Sequence, residues 1–362
     1  MSNREPAQHT DTQTDLHAHT PPSPQALRTA TRIRSTSGHH SAILGVGGYR
    51  PRRVVDNAEM CRSIDSTEEW IVGHSGIRER RFAGPDETLP AMAAAAAGKA
   101  LAHAGVQSSA VDLVLVASMS NLVQTPPLAT VVAHTLGAER AAALDLSAAC
   151  AGFCHALALA ADAVRAGSAR HVLVVGAERM TDIVDPHDRT IAFLFADGAG
   201  AVVVGPSRTP GIGPVVRRAD GAFADALRMT SGWDAFAADP AATGRPWMRM
   251  DGRRVFRWAM DAVAPEARRA LTEAGVAPEE LDVFVPHQAN LRMIDLMAER
   301  LGLTDRTRVA RDVEFTGNTS AASVPLALDA LLASGRARTG HTALLLGFGA
   351  GLNFAAQVVV LP

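Results

Sequence analysis

Apolar residues in this chain fall into short continuous runs, separated by longer segments where they recur at helical spacing. That alternation predicts strands buried on both faces, with helices packed against them. The first run, Ser41-Ala-Ile-Leu-Gly-Val-Gly-Gly-Tyr49, reads as a strand and a turn. Val111-Asp-Leu-Val-Leu-Val-Ala117, residues 172–175, Leu281-Asp-Val-Phe-Val-Pro-His287 and residues 343–346 predict further strands. The segment after Cys150 predicts a helix of about four turns, with Phe153, Leu157 and Val164 on one face. Before residue 41 the pattern is different. Residues 1–40 lack periodicity and are rich in Thr, Pro, Ser, Gln and His, so a disordered tail is expected there. Its His17, His19, His39 and His40 fit solvated histidines in a floppy leader better than a metal site. No apolar stretch follows a basic start, so the tail does not read as a secretory signal.

The pattern repeats. Ala104-Gly-Val106 recurs as Ala274-Gly-Val276, and Val111-Asp112 as Leu281-Asp282, each 170 residues on. The helices after Cys150 and after Asn318 end near Gly167 and Gly335, 168 residues apart, and an apolar strand follows each. Two copies of a helix–strand–helix–strand unit imply an α/β fold of two stacked halves. The expected boundaries are 41–208 and 209–362. At that offset Cys150 pairs with Asn318, each just before a helix, and His287 closes its strand. A twofold arrangement would bring all three toward one point, where the halves meet.

Composition narrows the function. With 47% hydrophobic and 20% charged residues, whole-chain disorder is excluded. No uncharged apolar run reaches the roughly 18 residues of a membrane span. A net charge of −2 gives no reason to expect a nucleic-acid polymer, and one Tyr argues against a base-stacking platform. Cys61, Cys150 and Cys154 are too few for a disulfide framework, and no second Cys/His pair stands at zinc spacing. A reducing cytoplasm fits best.

Cys150 stands among small residues in Leu144-Asp-Leu-Ser-Ala-Ala-Cys150-Ala-Gly-Phe153. A sharp strand-to-helix turn would place it at a helix N-terminus, where the dipole lowers a thiol pKa. Cys154 and His155 fit plain packing. His287 begins the polar cluster Gln288-Ala-Asn290-Leu-Arg292 at a strand end, where an exposed catalytic residue is expected. Asn318 alone fits a helix cap, and only its pairing with Cys150 raises it. Gly347-Phe-Gly-Ala-Gly351 supplies backbone N–H groups suited to an oxyanion but lacks the features of a nucleotide loop. Gly73-His-Ser75-Gly-Ile77 lacks the last glycine of a hydrolase elbow, and no Walker or Rossmann fingerprint is complete.

Several long motifs in order resemble β-ketoacyl-acyl-carrier-protein synthase III, of the thiolase superfamily. They are Ser66-Thr-Glu-Glu-Trp70-Ile-Val, Ser75-Gly-Ile-Arg-Glu-Arg80, Ala148-Ala-Cys150-Ala-Gly-Phe153, Asp188-Arg189 and Asp197-Gly-Ala-Gly-Ala201. Val285-Pro-His287-Gln-Ala-Asn-Leu-Arg292 and Gly317-Asn318-Thr-Ser-Ala-Ala-Ser-Val-Pro325 complete the set. Ile43-Leu-Gly-Val-Gly-Gly-Tyr-Arg50-Pro and Gln124-Thr-Pro126 look like actinobacterial members. The resemblance implies a thiolase-like fold with five α-β-α-β-α layers, and no metal or cofactor beyond the acyl-CoA substrate. It implies that Cys150 carries the acyl group from acyl-CoA, with the Cys150 and Ala350 amides as oxyanion hole. His287 and Asn318 would bind the malonyl-acyl-carrier-protein carbonyl and stabilise the enolate left by decarboxylation. Trp70, His74 and Arg189 would line the CoA entrance, and Arg257 and Arg292 would dock the acidic carrier protein.

Three positions depart from the pattern. His74 replaces an arginine, Glu299 replaces a basic docking residue, and Thr125 replaces a bulky Phe that caps the acyl pocket across a homodimer interface in acetyl-preferring members. The smaller Thr125 leaves room for branched or longer starters. The leading expectation is a cytoplasmic, homodimeric, chain-initiating condensing enzyme of fatty-acid or polyketide synthesis. An acyltransferase of the same fold serving a non-malonyl acceptor stays open as the alternative. A non-catalytic partner subunit fits poorly, because Cys150, His287 and Asn318 are all intact.

Overall fold

The computed structural model describes Met1, Arg34 and residues 39–362. The remainder of the expected tail, with His17 and His19, lies outside the described residues. All described residues except Met1 belong to one compact unit.

Ten strands form two five-stranded sheets. The first is built from β1 (His40–Tyr49), β2 (Leu113–Ala117), β3 (Ala142–Leu146), β4 (Val172–Arg179) and β5 (Asp197–Ser207), in the order β1-β5-β4-β2-β3. The second is built from β6 (Ile212–Ala219), β7 (Val283–Pro286), β8 (Arg308–Val309), β9 (Thr342–Gly349) and β10 (Asn353–Val360), in the order β6-β10-β9-β7-β8. Strand senses match as well. β2 runs parallel to β3 and β4, and β7 runs parallel to β8 and β9, while the other pairings are antiparallel.

Eight helices complete the frame: α1 (Glu68–Ser75), α2 (Leu89–Ala104), α3 (Leu128–Leu136), α4 (Gly152–Ala166), α5 (Gly252–Trp258), α6 (Ala264–Ala274), α7 (Leu291–Leu301) and α8 (Ser323–Ala333). α2 and α3 cover the outer face of the first sheet, and α6 packs on β6 and β10 of the second with α7 beside it. α4 and α8 lie between the sheets and touch both. The result is the five-layer α-β-α-β-α stack of a thiolase-like fold. α4 is buried on most of its circumference, as a central helix must be. With the turn before it, residues Ala149–Ala166 form an 18-residue stretch long and apolar enough to cross a bilayer, yet 67% of it is buried inside the protein.

The sequence pattern places β2 and β7 two residues early. Asp112 and Asp282 precede the strands rather than belonging to them. The Asp112 carboxylate accepts the Arg170 and His171 amides, and Asp282 accepts the Thr342 amide. The repeated acid thus pins the entry of the neighbouring strand in each half. The repeat itself also shifts. The turn Ala149–Ala151 before α4 corresponds to the turn Ser320–Ala322 before α8, which makes Ala321 the counterpart of Cys150. Asn318 lies ahead of its turn, in a parallel bridge with Phe195. A single offset misses this because the segments between strand and helix differ in length.

Close contact between β1 and α2 rests on small residues. A Cβ on Gly47 would lie 2.4 Å from the Ala100 amide nitrogen and 2.5 Å from the Ala96 carbonyl oxygen. Gly45 meets the backbone of Ala100 and Ala104 in the same way. Neither neighbour is a side chain that can swing aside. Gly47→Ala is therefore expected to destabilise the protein by about 3 kcal/mol, an overpacking cost, measured as a lower denaturation midpoint. An unchanged midpoint would mean that α2 rides free of β1.

Candidate active site

One cavity of about 980 Å³ collects most of the residues singled out in the sequence. Cys150, His287 and Asn318 line it and are 4%, 3% and 5% exposed, so they form its buried end. Trp70, His74, Arg189, Arg257 and Arg292 line it nearer solvent.

Cys150 sits in the middle of the turn Ala149–Ala151, which opens on a left-handed Ala149 (φ 45°). Bare backbone on β9 makes room for the sulfur. A Cβ on Gly349 would lie 2.8 Å from the Cys150 amide nitrogen and 3.2 Å from its Sγ. Gly347, two residues earlier, gives the same room to Cys154. The expected lowering of the thiol pKa does not occur. Burial pushes the Cys150 thiol up to about 12, the nearby Glu178 carboxylate adds to that, and Ser320 only partly offsets it. Desolvation outweighs the helix dipole because the thiol lies at the buried end of the cavity, where little water reaches its charged form.

His287 closes β7, where its amide bonds the Leu346 carbonyl. Its Nδ1 lies 2.8 Å from Ser323 Oγ, and its ring meets Phe348 edge-on at 5.1 Å. Burial alone drives its pKa down to about 3, so the imidazole is neutral at physiological pH. Gln288 fixes the loop by donating to the Pro286 and Ala310 carbonyls and accepting from the Val313 amide. Asn318 is held by its backbone to Leu194 and Ala196. Its Oδ1 accepts the Ser320 amide, which turns Nδ2 toward the cavity.

At the outer end, His74 stacks on Trp70 with centroids 4.1 Å apart, and its Nδ1 lies 2.9 Å from the Trp70 carbonyl oxygen. The Arg189 guanidinium stands 6.0 Å from the Trp70 ring centre. Arg257 projects from α5 and Arg292 from the start of α7. Neither forms an ion pair among the described residues. Arg300, absent from the sequence-level set, also lines the cavity. Pro265 has no N–H to donate, the helix widens to a π turn over Ala259–Val263, and Arg300 Nη1 bonds the Met260 carbonyl at 2.9 Å.

Two sequence-level residues are not among those lining this cavity. Thr125 is exposed on the loop between β2 and α3, where its neighbours Val123 and Pro126 border a second cavity of about 280 Å³. Ala350 follows β9, and Gly349 rather than Ala350 is the residue lining the Cys150 cavity. Cys154 is core, and the half-buried His155 bonds the Asn353 side chain. Sequence reasoning passed over Glu178, Ser320, Ser323 and Phe348. The serines stand inside one of the family motifs; Glu178 is a single acid near the end of an apolar strand. Among the described residues no cluster of His, Cys, Asp and Glu could hold a metal ion.

The neutral His287 gives a pH signature. Its folded pKa lies below the ordinary 6.5, so the stability it supports is complete above pH 6.5 and drains away as the pH falls toward 3. Between about pH 7 and pH 4.5, the wild-type melting temperature should drop further than that of His287→Asn, by on the order of 5 °C. Parallel melting curves for the two proteins would contradict the buried neutral imidazole.

Models of the 3-oxoacyl-acyl-carrier-protein synthase III family match residues 144–221 and, for its C-terminal part, residues 271–361. A β-ketoacyl-acyl-carrier-protein synthase III from Streptomyces lividans is 57% identical over 330 residues, 91% of this chain and 97% of that protein. The mycobacterial synthase III of Mycobacterium tuberculosis is 50% identical over 92% of this chain and 99% of its own. Among solved structures, the priming β-ketosynthase of the R1128 polyketide pathway superposes with a TM-score of 0.88 at 56% identity, covering 92% and 99% of the two chains. The synthase III of Aquifex aeolicus gives 0.81 at 35%, covering 88% and 99%. With fold, cavity and relatives in agreement, the chain belongs to the β-ketoacyl-acyl-carrier-protein synthase III family, acyltransferases that condense an acyl-CoA starter with malonyl-acyl-carrier protein to give 3-oxoacyl-acyl-carrier protein.

Proposed function

We propose that Cys150, His287 and Asn318 carry this reaction and that the 980 Å³ cavity is the path by which both thioesters reach them. The observation that carries the reading is the joining of those three buried side chains to Trp70 and Arg189 by one continuous cavity. Cys150 attacks the acyl-CoA thioester and becomes the acyl-enzyme, with the Cys150 and Ala350 amides receiving the oxyanion. Trp70 and Arg189 grip the CoA adenine between an indole face and a planar guanidinium. His74 adds a second ring to that platform.

Malonyl-acyl-carrier protein follows by the same route. His287 and Asn318 donate to its thioester carbonyl. A neutral imidazole suits this role, since the Ser323 hydroxyl on Nδ1 leaves Nε2–H for the substrate. Carbon dioxide leaves, the electron pair stays as an enolate held by those two donors, and its carbon attacks the acyl group on Cys150. Asn318 favours condensation over simple acyl transfer, which needs no enolate-binding pair.

Arg257 and Arg292 meet the acidic carrier protein, while Glu299 on α7 narrows that partner's choice. The protein is proposed to be a homodimer joined along β3. That strand ends its sheet, Leu144 on it is 46% exposed, and Leu122 and Val123 nearby are 44% and 57% exposed. Thr125 lies on the same loop and would face the partner's acyl pocket, favouring branched starters. The three free thiols support a cytoplasmic setting, and the likeness to a priming ketosynthase supports a role in choosing a starter unit.

Intact-protein mass spectrometry with a panel of acyl-CoAs tests this directly. Isobutyryl-CoA should add one acyl mass on Cys150, and malonyl-acyl-carrier protein should discharge it with release of CO₂. Thr125→Phe should shift preference toward acetyl-CoA by about tenfold, a pocket-volume effect of roughly 1.4 kcal/mol. An acyl adduct that discharges onto some other nucleophile would identify an acyltransferase instead. A wild-type preference for acetyl-CoA would remove the argument from Thr125.

A further inference from the structure

Glu178 is a carboxylate that the reaction scheme leaves unused. It is the penultimate residue of β4 and fully buried, and among the described residues no Lys, Arg or His forms an ion pair with it. Buried carboxylates without a cation are uncommon. Its place follows from the strand. Gly176, two residues earlier on the same face, lets the turn before α8 approach so closely that a Cβ there would lie 2.3 Å from the Ala321 carbonyl oxygen. Glu178 meets that same turn with its side chain. Its Oε1 accepts from Ser320 Oγ at 2.9 Å and from the Ala321 amide at 3.3 Å. From the other half, the loop after β2 adds Ser118 Oγ, the Met119 amide, and the Ser120 amide and hydroxyl. Ser118 Oγ already accepts the Ser120 amide, and Ser120 Oγ accepts the Arg179 amide, so both hydroxyls turn their protons to Glu178. Every partner donates, which suits an acceptor-only carboxylate and not an amide side chain.

What Glu178 holds leads to Asn318. The Asn318 backbone is fixed by Leu194 and Ala196, and its side chain is oriented by the Ser320 amide, which donates to Oδ1 at 2.9 Å. Ser320 makes that bond and the one to Glu178 at once, with φ at 46°. The φ angle relates a residue's own N–H to its side chain. With the hydroxyl still on Glu178, an ordinary negative φ would swing the N–H away from Asn318. Such a conformation is costly for a serine and persists only where its surroundings hold it. We propose that Glu178 is a positioning residue for the malonyl step: by pinning Ser320 in its left-handed conformation, it keeps Asn318 Oδ1 occupied and Nδ2 directed at the substrate carbonyl. The inference rests on the reading of Asn318 as a donor to that carbonyl. It confines the role of Glu178 to one half-reaction, because acylation of Cys150 does not use Asn318. Its charge acts on acylation in the opposite sense. The Glu178 carboxylate disfavours the Cys150 thiolate, so removing that charge does not slow the first step.

The test separates the two half-reactions by single-turnover mass spectrometry. Enzyme is acylated with isobutyryl-CoA or acetyl-CoA, freed of excess, and mixed with malonyl-acyl-carrier protein. Glu178→Gln should acylate at least as fast as wild type, yet discharge onto malonyl-acyl-carrier protein at least about tenfold more slowly, as a misplaced donor requires. In an Asn318→Ala background the same substitution should cost nothing further, since the group it positions is gone. Ser320→Ala loses the anchor and keeps the strain, so its discharge should slow likewise. Ser320→Gly takes a φ of 46° without strain and should discharge severalfold faster than Ser320→Ala. Equal slowing of both half-reactions, or the full loss persisting in the Asn318→Ala background, would overturn the proposal and mark Glu178 as a general support of the fold. Should Glu178→Gln fail to fold, Ser320→Gly no faster than Ser320→Ala would overturn it. Asn318→Ala discharging at the wild-type rate would instead overturn the reading of Asn318 itself.

Discussion

At the junction of the two halves, backbone meets backbone with no side chain between. Gly176 of β4 faces the turn before α8, where an added Cβ would lie 2.3 Å from the Ala321 carbonyl oxygen. Gly347 and Gly349 of β9 face the turn before α4, at 3.0 Å from the Ala151 Cα and 2.8 Å from the Cys150 amide nitrogen. The contact is reciprocal, each half receiving the other's strand-to-helix turn on a glycine-bearing strand. Side chains in those places would force the sheets apart and separate the groups that line the cavity. The position of the site follows from this contact. Cys150 rides on one turn, Asn318 and Ser320 lead into the other, and His287 ends β7 beside β9.

The same closeness sets the electrostatics. Residues pressed between two sheets lose water, and charge becomes costly there. The thiol rises to about 12 while the imidazole falls to about 3. Both shifts favour the uncharged form at rest. Such a site suits chemistry in which charge appears only transiently, on a tetrahedral oxygen and then on an enolate, and fixed neutral donors meet it. It also explains why the helix N-terminus is a weak guide here. The dipole is worth a fraction of the desolvation that comes with the turn's burial.

Much of this was legible in the chain. The 170-residue repeat, the strand-ending His287 and the small residues around Cys150 were enough to propose two halves meeting at one site. Pairing Cys150 with Asn318 by constant offset reached the right neighbourhood through the wrong correspondence, because Asn318 precedes its turn whereas Cys150 lies within one. Glu178 left no local signal: the donors that hold it lie 58 to 143 residues away in the chain. The roles at the cavity's outer end came from family resemblance, since single arginines and an indole have no periodic signature.

Arg300 shows how the outer charges divide. Its position on α7, next to solvent-facing Glu299, invites a docking role. Yet Pro265 leaves the Met260 carbonyl without a helical donor, and Arg300 supplies one while lying 3.6 Å from Asp261. An arginine that completes a widened helix turn is committed to that helix, whereas Arg253, Arg257 and Arg292 line the same cavity without ion pairs among the described residues. The charge available to an anionic substrate or carrier is therefore concentrated along α5 and the first turn of α7. That edge leads inward past Met260 and Met293 toward His287, so attraction at the surface and passage to the reacting groups share one wall.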